Sequence, residues 1–165
     1  NNPKLICTVR HPLDILASFI TLFHKDRTYN FIDRAMTEQK IPITDDNRCH
    51  YMMNPGGIVW ESMNALATAF RQKETQYIHF IQYDDLVSNP TEVMNYLHAF
   101  LELDPFNYNF DNINQKDREK DAEVYGLPTM HEVRKSINKI SKPYQEVLST
   151  DVINKYINYD FWNQQ

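Results

Sequence analysis

An apolar, β-branched run that leads into a proline-initiated helix pattern constrains the fold of this chain more than any other feature. Residues 5–9 read Leu-Ile-Cys-Thr-Val, and Arg10 follows them directly. From Pro12 onward, apolar residues recur at three- and four-residue intervals, which is the spacing of one helix face: Leu13, Leu16, Ala17 and Ile20. Pro at the first helical position and Asp14 in the first turn are typical of a helix start. The sequence therefore predicts a strand, a tight turn and a helix.

The same segment predicts an anion site. Arg10 is expected at the carboxyl end of the strand, and Ser18 about one turn into the helix. Free backbone N–H groups and the helix dipole favour anions at a helix N-terminus. An Arg side chain can hold a phosphate in bidentate fashion, and a Ser hydroxyl can donate a further hydrogen bond. The alternative is structural: Arg10 pairs with Asp14, and Ser18 bonds to its own helix backbone.

A second strand is predicted at residues 77–82, followed by Tyr83-Asp-Asp-Leu. Both runs are almost continuously apolar, as expected for strands buried on both faces, and Cys7 is accordingly expected to be a buried filler. Helical segments separate the runs, which favours parallel pairing through crossover connections. After the second strand, Asn89 and Pro90 are typical of a helix start, and this helix is expected to end near residue 103.

The remaining segments give weaker patterns. Gly56-Gly57 precedes a helix with an apolar stripe, and Ser149 is expected to cap another helix, with Phe161-Trp162 packing against the body. The stripe residues are Val59, Met63, Leu66, Ala67 and Phe70 in the first helix, and Val152, Ile153, Tyr156 and Ile157 in the second. A short helix is expected at 29–35, a polar stretch at 44–48, and a loop at 104–125.

Composition limits the class of protein. A chain of 165 residues with 42% apolar residues is expected to form one domain with a real core. The net charge of −5 argues against a broad surface for nucleic acid or anionic membranes. The two cysteines form no metal or redox pattern. Because no transmembrane-length apolar run or signal peptide is found, a cytoplasmic location is expected.

Three segments in the same order resemble the sulfotransferase family that uses 3'-phosphoadenosine 5'-phosphosulfate (PAPS). They are the Arg-x-Pro-x-Asp-x-x-x-Ser motif, the Tyr-Asp-Asp-Leu segment and Phe100-Leu101, and the resemblance covers residues 4–103. Asp84 stands where the family usually has Glu. In the family the motif's Arg and Ser hold the 3'-phosphate of the cofactor, which implies this role for Arg10 and Ser18. Tyr83 is the counterpart of a tyrosine at the nucleotide site.

The resemblance implies an α/β fold of sulfotransferase type, a P-loop-like parallel sheet flanked by helices, spanning residues 1–165 as a single domain. The chain starts Asn-Asn-Pro just before a core strand, so a preceding strand-loop-helix with the 5'-phosphosulfate loop and the general base is expected. Many members close a basic segment over the cofactor, which implies that role for Arg134 and Lys135; the alternative is a solvated basic turn. His131 lies nearby, but nothing supports it as the base.

The implied reaction moves a sulfuryl group from PAPS to a hydroxyl, or less readily an amine, and releases adenosine 3',5'-bisphosphate. The acceptor stays open among sugars, tyrosines, lipids and small alcohols, and no metal is implied. In the family the interval corresponding to residues 23–55 helps to form the acceptor pocket; the alternative is a surface excursion without a site. Two alternatives remain. One is a relative of the P-loop nucleotide kinases that uses ATP and Mg²⁺, although three glycines exclude a Walker-type loop within these residues. The other is a non-catalytic nucleotide-binding module.

Overall fold

The computed structural model describes residues 3–26, 29–138 and 142–159, so the expectation for Phe161-Trp162 lies outside the described residues. The chain divides into two compact units, each assembled from three segments. The sheet unit comprises Asn1–Arg10, Thr68–Lys116 and Val133–Ile140, and the helical unit comprises His11–Ala67, Asp117–Glu132 and Ser141–Gln165. That residues 1–165 form a single domain stays a prediction.

Two strands and eight α-helices make up the regular structure of the described residues. The strands are β1 Leu5–Val9 and β2 Ile78–Gln82. The helices are α1 Pro12–Asp26, α2 Phe31–Glu38, α3 Asp45–Met53, α4 Ile58–Arg71, α5 Tyr83–Ser88, α6 Pro90–Leu101, α7 Asp121–Val124 and α8 Thr150–Tyr156. Single 3₁₀ turns form at Thr75–Tyr77 and Tyr144–Glu146. No helix in this part of the chain has the length and apolar character needed to cross a membrane.

The sheet unit contains the parallel pair that the sequence predicts. Leu5 lies opposite Ile78, and Val9 lies opposite Gln82. Two aromatic contacts hold β2 to the neighbouring helices: His79 stacks on Phe100 of α6 at 4.9 Å between ring centroids, and Phe80 contacts Phe70 of α4 at 5.6 Å. An α/β fold with a small parallel sheet is therefore confirmed.

The prediction that both strands are buried on both faces is wrong: β1 is largely exposed, and in β2 only Ile81 is buried. Leu5 is 52% exposed, Ile6 is 47% exposed, and Cys7 is only half-buried. Within the described residues the sheet has only two strands, so each has one unpaired edge. Partial burial nevertheless raises the pKa of the Cys7 thiol.

The core of the helical unit lies between α1, α3 and α8. The predicted face of α1 is confirmed: Leu13, Leu16, Ala17, Ile20 and Phe23 are all buried. The Ser149 hydroxyl caps α8 by accepting the Val152 N–H at 3.3 Å, as predicted. Val152 and Tyr156 are buried in the core, whereas Ile157 is exposed because α8 ends at Tyr156.

Three predicted segments differ from the structure. The polar stretch 44–48 is not an excursion, because the Thr44 hydroxyl accepts the Asn47 N–H and begins α3, which buries Cys49, Met52 and Met53. α2 begins at Phe31 because Asn30 caps it, so the predicted start at residue 29 is early. Within the predicted loop at 104–125, Asp121 is buried and begins α7.

A buried ion pair links α2 to α3. The carboxylate of Asp33 accepts hydrogen bonds from Arg48 Nε and Nη2, both at 2.7 Å, and from the amide of Asn30 at 3.0 Å. The side-chain hydrogen bonding between Arg48 and Asp33 is the main cause that raises the pKa of Arg48. Because the carboxylate is almost fully buried, its partners compensate for the loss of water.

Arg48→Met is expected to destabilise the protein by about 3–5 kcal/mol, because it leaves the charge of Asp33 buried without its cation. The measurement is the free energy of unfolding in urea. The control is Arg34→Met on α2, since Arg34 is exposed and donates only to the Val124 carbonyl; its expected cost is about 1 kcal/mol or less. Equal losses in the two variants would contradict a role for the buried pair.

Gly57→Ala is expected to destabilise the protein more than Gly56→Ala. A Cβ at Gly57 would collide with the backbone carbonyl groups of Tyr51 and Met52, which cannot move without shifting the end of α3. A Cβ at Gly56 has no heavy atom within 4 Å. The Gly56→Ala variant is therefore destabilised only by backbone strain at φ +88°, which costs about 1–2 kcal/mol. Thermal unfolding of both variants measures the difference, and a larger loss for Gly56→Ala would refute the explanation.

Candidate functional site

Arg10 and Tyr83 come together at the carboxyl end of the parallel sheet. Because Val9 pairs with Gln82, the next residue of each strand leaves the sheet at the same end. The guanidinium carbon of Arg10 lies over the Tyr83 ring, 4.3 Å from its centroid, and both side chains are half-buried. Such a cation–π contact contributes about 0.5–1 kcal/mol at partly exposed sites. Its larger consequence is that it fixes the orientation of the Arg10 head group.

This arrangement is suited to binding an anion. A guanidinium carries its five N–H donors in its own plane, so contact of the ring with its face does not consume them. Planar pairs of these donors match the oxygens of a phosphate or carboxylate. The carboxyl ends of parallel strands are also where open α/β sheets bind their ligands.

Ser18 belongs to the helical unit, whereas Arg10 and Tyr83 belong to the sheet unit. Its side chain is exposed on α1, six residues after Pro12, which is further along the helix than the single turn expected. Among the described residues its hydroxyl has no hydrogen-bonding partner, so the alternative of a bond to its own helix backbone is not observed.

The expectation of free N–H groups at the start of α1 is wrong, because His11 occupies them. Its Nδ1 accepts the Leu13 N–H at 3.1 Å, and its carbonyl oxygen accepts the N–H groups of Asp14 and Ile15 at 2.9 and 3.2 Å. Pro12 has no N–H to offer. Nε2 of His11 therefore carries the ring proton and donates to the Ile157 carbonyl at 3.0 Å. Sequence reasoning missed this cap, because His is not a usual N-cap residue.

Arg134 and Lys135 lie on an exposed segment of the sheet unit. Backbone hydrogen bonds hold this segment to residues 110–115: Ile113 N–H donates to the Lys135 carbonyl at 2.7 Å, and Ile137 N–H to the Phe110 carbonyl at 3.1 Å. In the described part of the chain neither basic side chain has a hydrogen-bonding or ion-pair partner, so no contact joins them to Arg10 or Tyr83. Both head groups are accessible to solvent.

His131 forms a hydrogen-bonded cluster with two acids. Its backbone N–H and its Nδ1 each lie 2.8 Å from the carboxylate of Asp121, and Nδ1 lies 3.2 Å from Glu119. These three side chains offer ligand atoms within 4.8 Å of one another. Because Nδ1 faces carboxylate oxygens of both acids, it carries a proton in this structure and donates to them. The cluster fixes the local backbone.

Two buried groups of the helical unit, a thiol and a phenol hydroxyl, have raised pKa values and stay protonated near neutral pH. Burial raises the pKa of the Cys49 thiol to about 12. It also raises the pKa of the Tyr156 hydroxyl to about 12, and this hydroxyl is hydrogen-bonded to Nδ1 of His50 at 2.9 Å. Both are almost inaccessible to solvent, so they contribute to packing between α3 and α8.

Comparison with known proteins gives one match. The family model described as "Sulfotransferase domain" matches residues 1–158, which is nearly the whole chain. No curated protein matches the chain. No solved structure matches it either.

The Asp121–His131 cluster predicts a specific dependence of stability on acid. The His131 backbone N–H is the main cause that lowers the pKa of Asp121 below its ordinary 3.8. The unfolded chain therefore binds this proton more readily, so the contribution to stability is complete above pH 3.8 and is lost as pH falls through the folded-state pKa.

We expect Asp121→Asn to remove this part of the acid-induced fall in melting temperature, measured between about pH 2 and 6. The control is Asp117→Asn, an exposed acid on the same segment, which is expected to keep the wild-type profile. If the melting temperature of Asp121→Asn falls with pH in parallel with that of the wild type, the explanation is wrong.

Proposed function

Because the chain belongs to the sulfotransferase domain family, we propose that it transfers a sulfuryl group from PAPS to a hydroxyl acceptor, or less readily to an amine. The observation that carries this proposal is Arg10 seated on Tyr83 at the carboxyl end of the sheet. Sulfuryl transfer is the general chemistry of the family, and PAPS is the donor that best fits the arginine site. The 3'-phosphate distinguishes this donor from ATP, and it needs a dedicated cationic partner.

The fold supports the proposal at the level of strand order and direction. β1 and β2 are parallel, and each is followed by a helix along the chain. A P-loop-like arrangement has this succession of strand and helix, with ligands at the carboxyl ends of the strands. We place the nucleotide at this edge of the sheet.

The residues are assigned these roles in the proposal. Arg10 binds the 3'-phosphate through its in-plane N–H donors, and Tyr83 orients Arg10 through the stacked face. The exposed hydroxyl of Ser18 donates a hydrogen bond to the same phosphate. Arg134 and Lys135, whose head groups are exposed, add positive charge over the nucleotide.

Bound PAPS would supply the sulfuryl group: the bond from sulfur to the acceptor oxygen forms as the bond from sulfur to the phosphate oxygen breaks, and adenosine 3',5'-bisphosphate departs. The residues of this chain contribute positioning and charge, which dominate catalysis in related phosphoryl transfers. Removing the acceptor proton requires a base, and we assign none among the described residues.

We expect the protein to bind adenosine 3',5'-bisphosphate at least about tenfold more tightly than 5'-AMP, a difference of about 1.4 kcal/mol. The two ligands differ only in the 3'-phosphate, which Arg10 binds in the proposal. Arg10→Ala is therefore expected to abolish the preference. Arg10→Lys keeps the charge but loses the planar pair of donors, so an intermediate preference is expected. Isothermal titration calorimetry measures all of these affinities.

The control is Arg71→Ala, an exposed arginine of the sheet unit that donates to the Thr68 hydroxyl. It is expected to keep the wild-type preference. Equal affinity of the wild type for both nucleotides, or an undiminished preference in Arg10→Ala, would overturn the proposed site. Tighter binding of ATP with Mg²⁺ would favour a nucleotide kinase relative.

A further inference from the structure

Three aromatic rings form a row in the sheet unit after the end of α6; the first two are exposed and the third is half-buried. Phe106, Tyr108 and Phe110, which we call the aromatic row, alternate with Asn107 and Asn109. Consecutive ring centroids lie 4.8 and 5.6 Å apart, so the rings share one side of the segment. Phe106 is 62% exposed. Contiguous exposed rings are unusual on a soluble surface and commonly mark a binding site.

His98 of α6 holds the middle of the row in place. Its Nδ1 lies 2.6 Å from the Asp104 carbonyl oxygen, and its Nε2 lies 2.7 Å from the Tyr108 hydroxyl. Since a carbonyl can only accept, Nδ1 carries a proton, and in the neutral ring Nε2 accepts from Tyr108. The Tyr108 ring is thereby fixed before any ligand arrives, which reduces the entropy lost on binding.

The aromatic row forms one wall of a cavity of about 210 Å³. Thr91 and Asn95 of α6 also line it, together with Asn107, which lies between Phe106 and Tyr108 in the sequence. Within the described ranges the side chains of these three polar residues make no hydrogen bonds. The cavity is smaller than the roughly 300–1,000 Å³ of pockets that enclose drug-sized ligands. It therefore suits a single ring with hydrogen-bonding groups at its edge.

The charges around the cavity select a neutral ligand. None of the six lining residues is charged. Glu92 is adjacent to Thr91, and Asp104 and Asp111 flank the aromatic row along the chain. Negative charges next to the lining residues in the sequence disfavour a phosphate or sulfate. A cavity lined by both aromatic rings and the amide and hydroxyl groups of Asn95, Asn107 and Thr91 is suited to a ligand with an apolar face and hydroxyls at its edge.

We propose that the aromatic row and α6 form a binding site for a neutral sugar ring. The C–H face of a pyranose packs on the exposed ring of Phe106, beside which the Tyr108 ring stands at an interplanar angle of 66°. The sugar hydroxyls bond to Asn95, Asn107 and Thr91. This site goes beyond the proposed transfer reaction and needs neither PAPS nor Arg10. Its test is a binding measurement without nucleotide, so its failure is distinguishable from failure of the sulfotransferase proposal.

The experiment titrates the protein with neutral hexasaccharides of glucose, xylose, mannose and N-acetylglucosamine, and follows binding by saturation-transfer NMR and calorimetry. At least one is expected to bind, with affinity reduced about tenfold in Phe106→Ala. The matched control is Tyr96→Ala on α6, because Tyr96 is equally exposed at 62% but does not line the cavity. Wild-type affinity is expected for this control.

Asn95→Ala gives a second, independent readout because it removes a polar contact and leaves the rings in place. It is expected to weaken the same saccharide. Three results would overturn the proposal: no binding by any of the saccharides, equal losses in Phe106→Ala and Tyr96→Ala, or stronger Phe106-dependent binding of adenosine than of any saccharide. The last result would assign the cavity to a nucleobase.

Discussion

The parallel register of β1 and β2 is the constraint on which the candidate site depends. Val9 pairs with Gln82, so the next residues, Arg10 and Tyr83, follow the carboxyl ends of neighbouring strands. The guanidinium of Arg10 therefore lies over the Tyr83 ring. A shift of the register by one residue would turn every following side chain to the other face of the sheet. The contact between Arg10 and Tyr83 is therefore a property of strand pairing, and the position of Arg10 in the sequence alone would not define it.

Inside the helical unit, polar groups decide where helices begin and how they are joined. Asn30, Thr44 and Ser149 each accept a backbone N–H at the first turn of a helix. Asp33 and Arg48 then connect two of these helices through a buried ion pair. Apolar packing supplies most of the driving force, but these groups select one arrangement of the helices. The start of α1 follows the same rule, with an imidazole in place of a hydroxyl or amide.

The fold could be predicted from sequence where local periodicity and burial agree. The apolar face of α1 and the cap of α8 are such cases, and the parallel pairing followed from the helical segments between two apolar runs. The exposure of Leu5 and Ile6 could not be read from the sequence, since burial depends on what covers a strand. The motif identified Arg10 and Ser18 as candidates, but the contact of Arg10 with Tyr83 required the register. The role of His11 required coordinates, because no local pattern predicts a histidine cap.

The interleaving of the two units has a consequence for synthesis of the chain. The pairing of β1 with β2 forms only after the ribosome has produced both strands, because Leu5 pairs with Ile78. The helical unit likewise begins with α1 but gains Val152 and Tyr156 of its core only when α8 has been made. Neither unit can be completed by an early segment alone, and distant contacts of this kind slow folding. Until α8 has been made, the nascent chain therefore exposes apolar side chains that the finished core buries, and such surfaces favour aggregation.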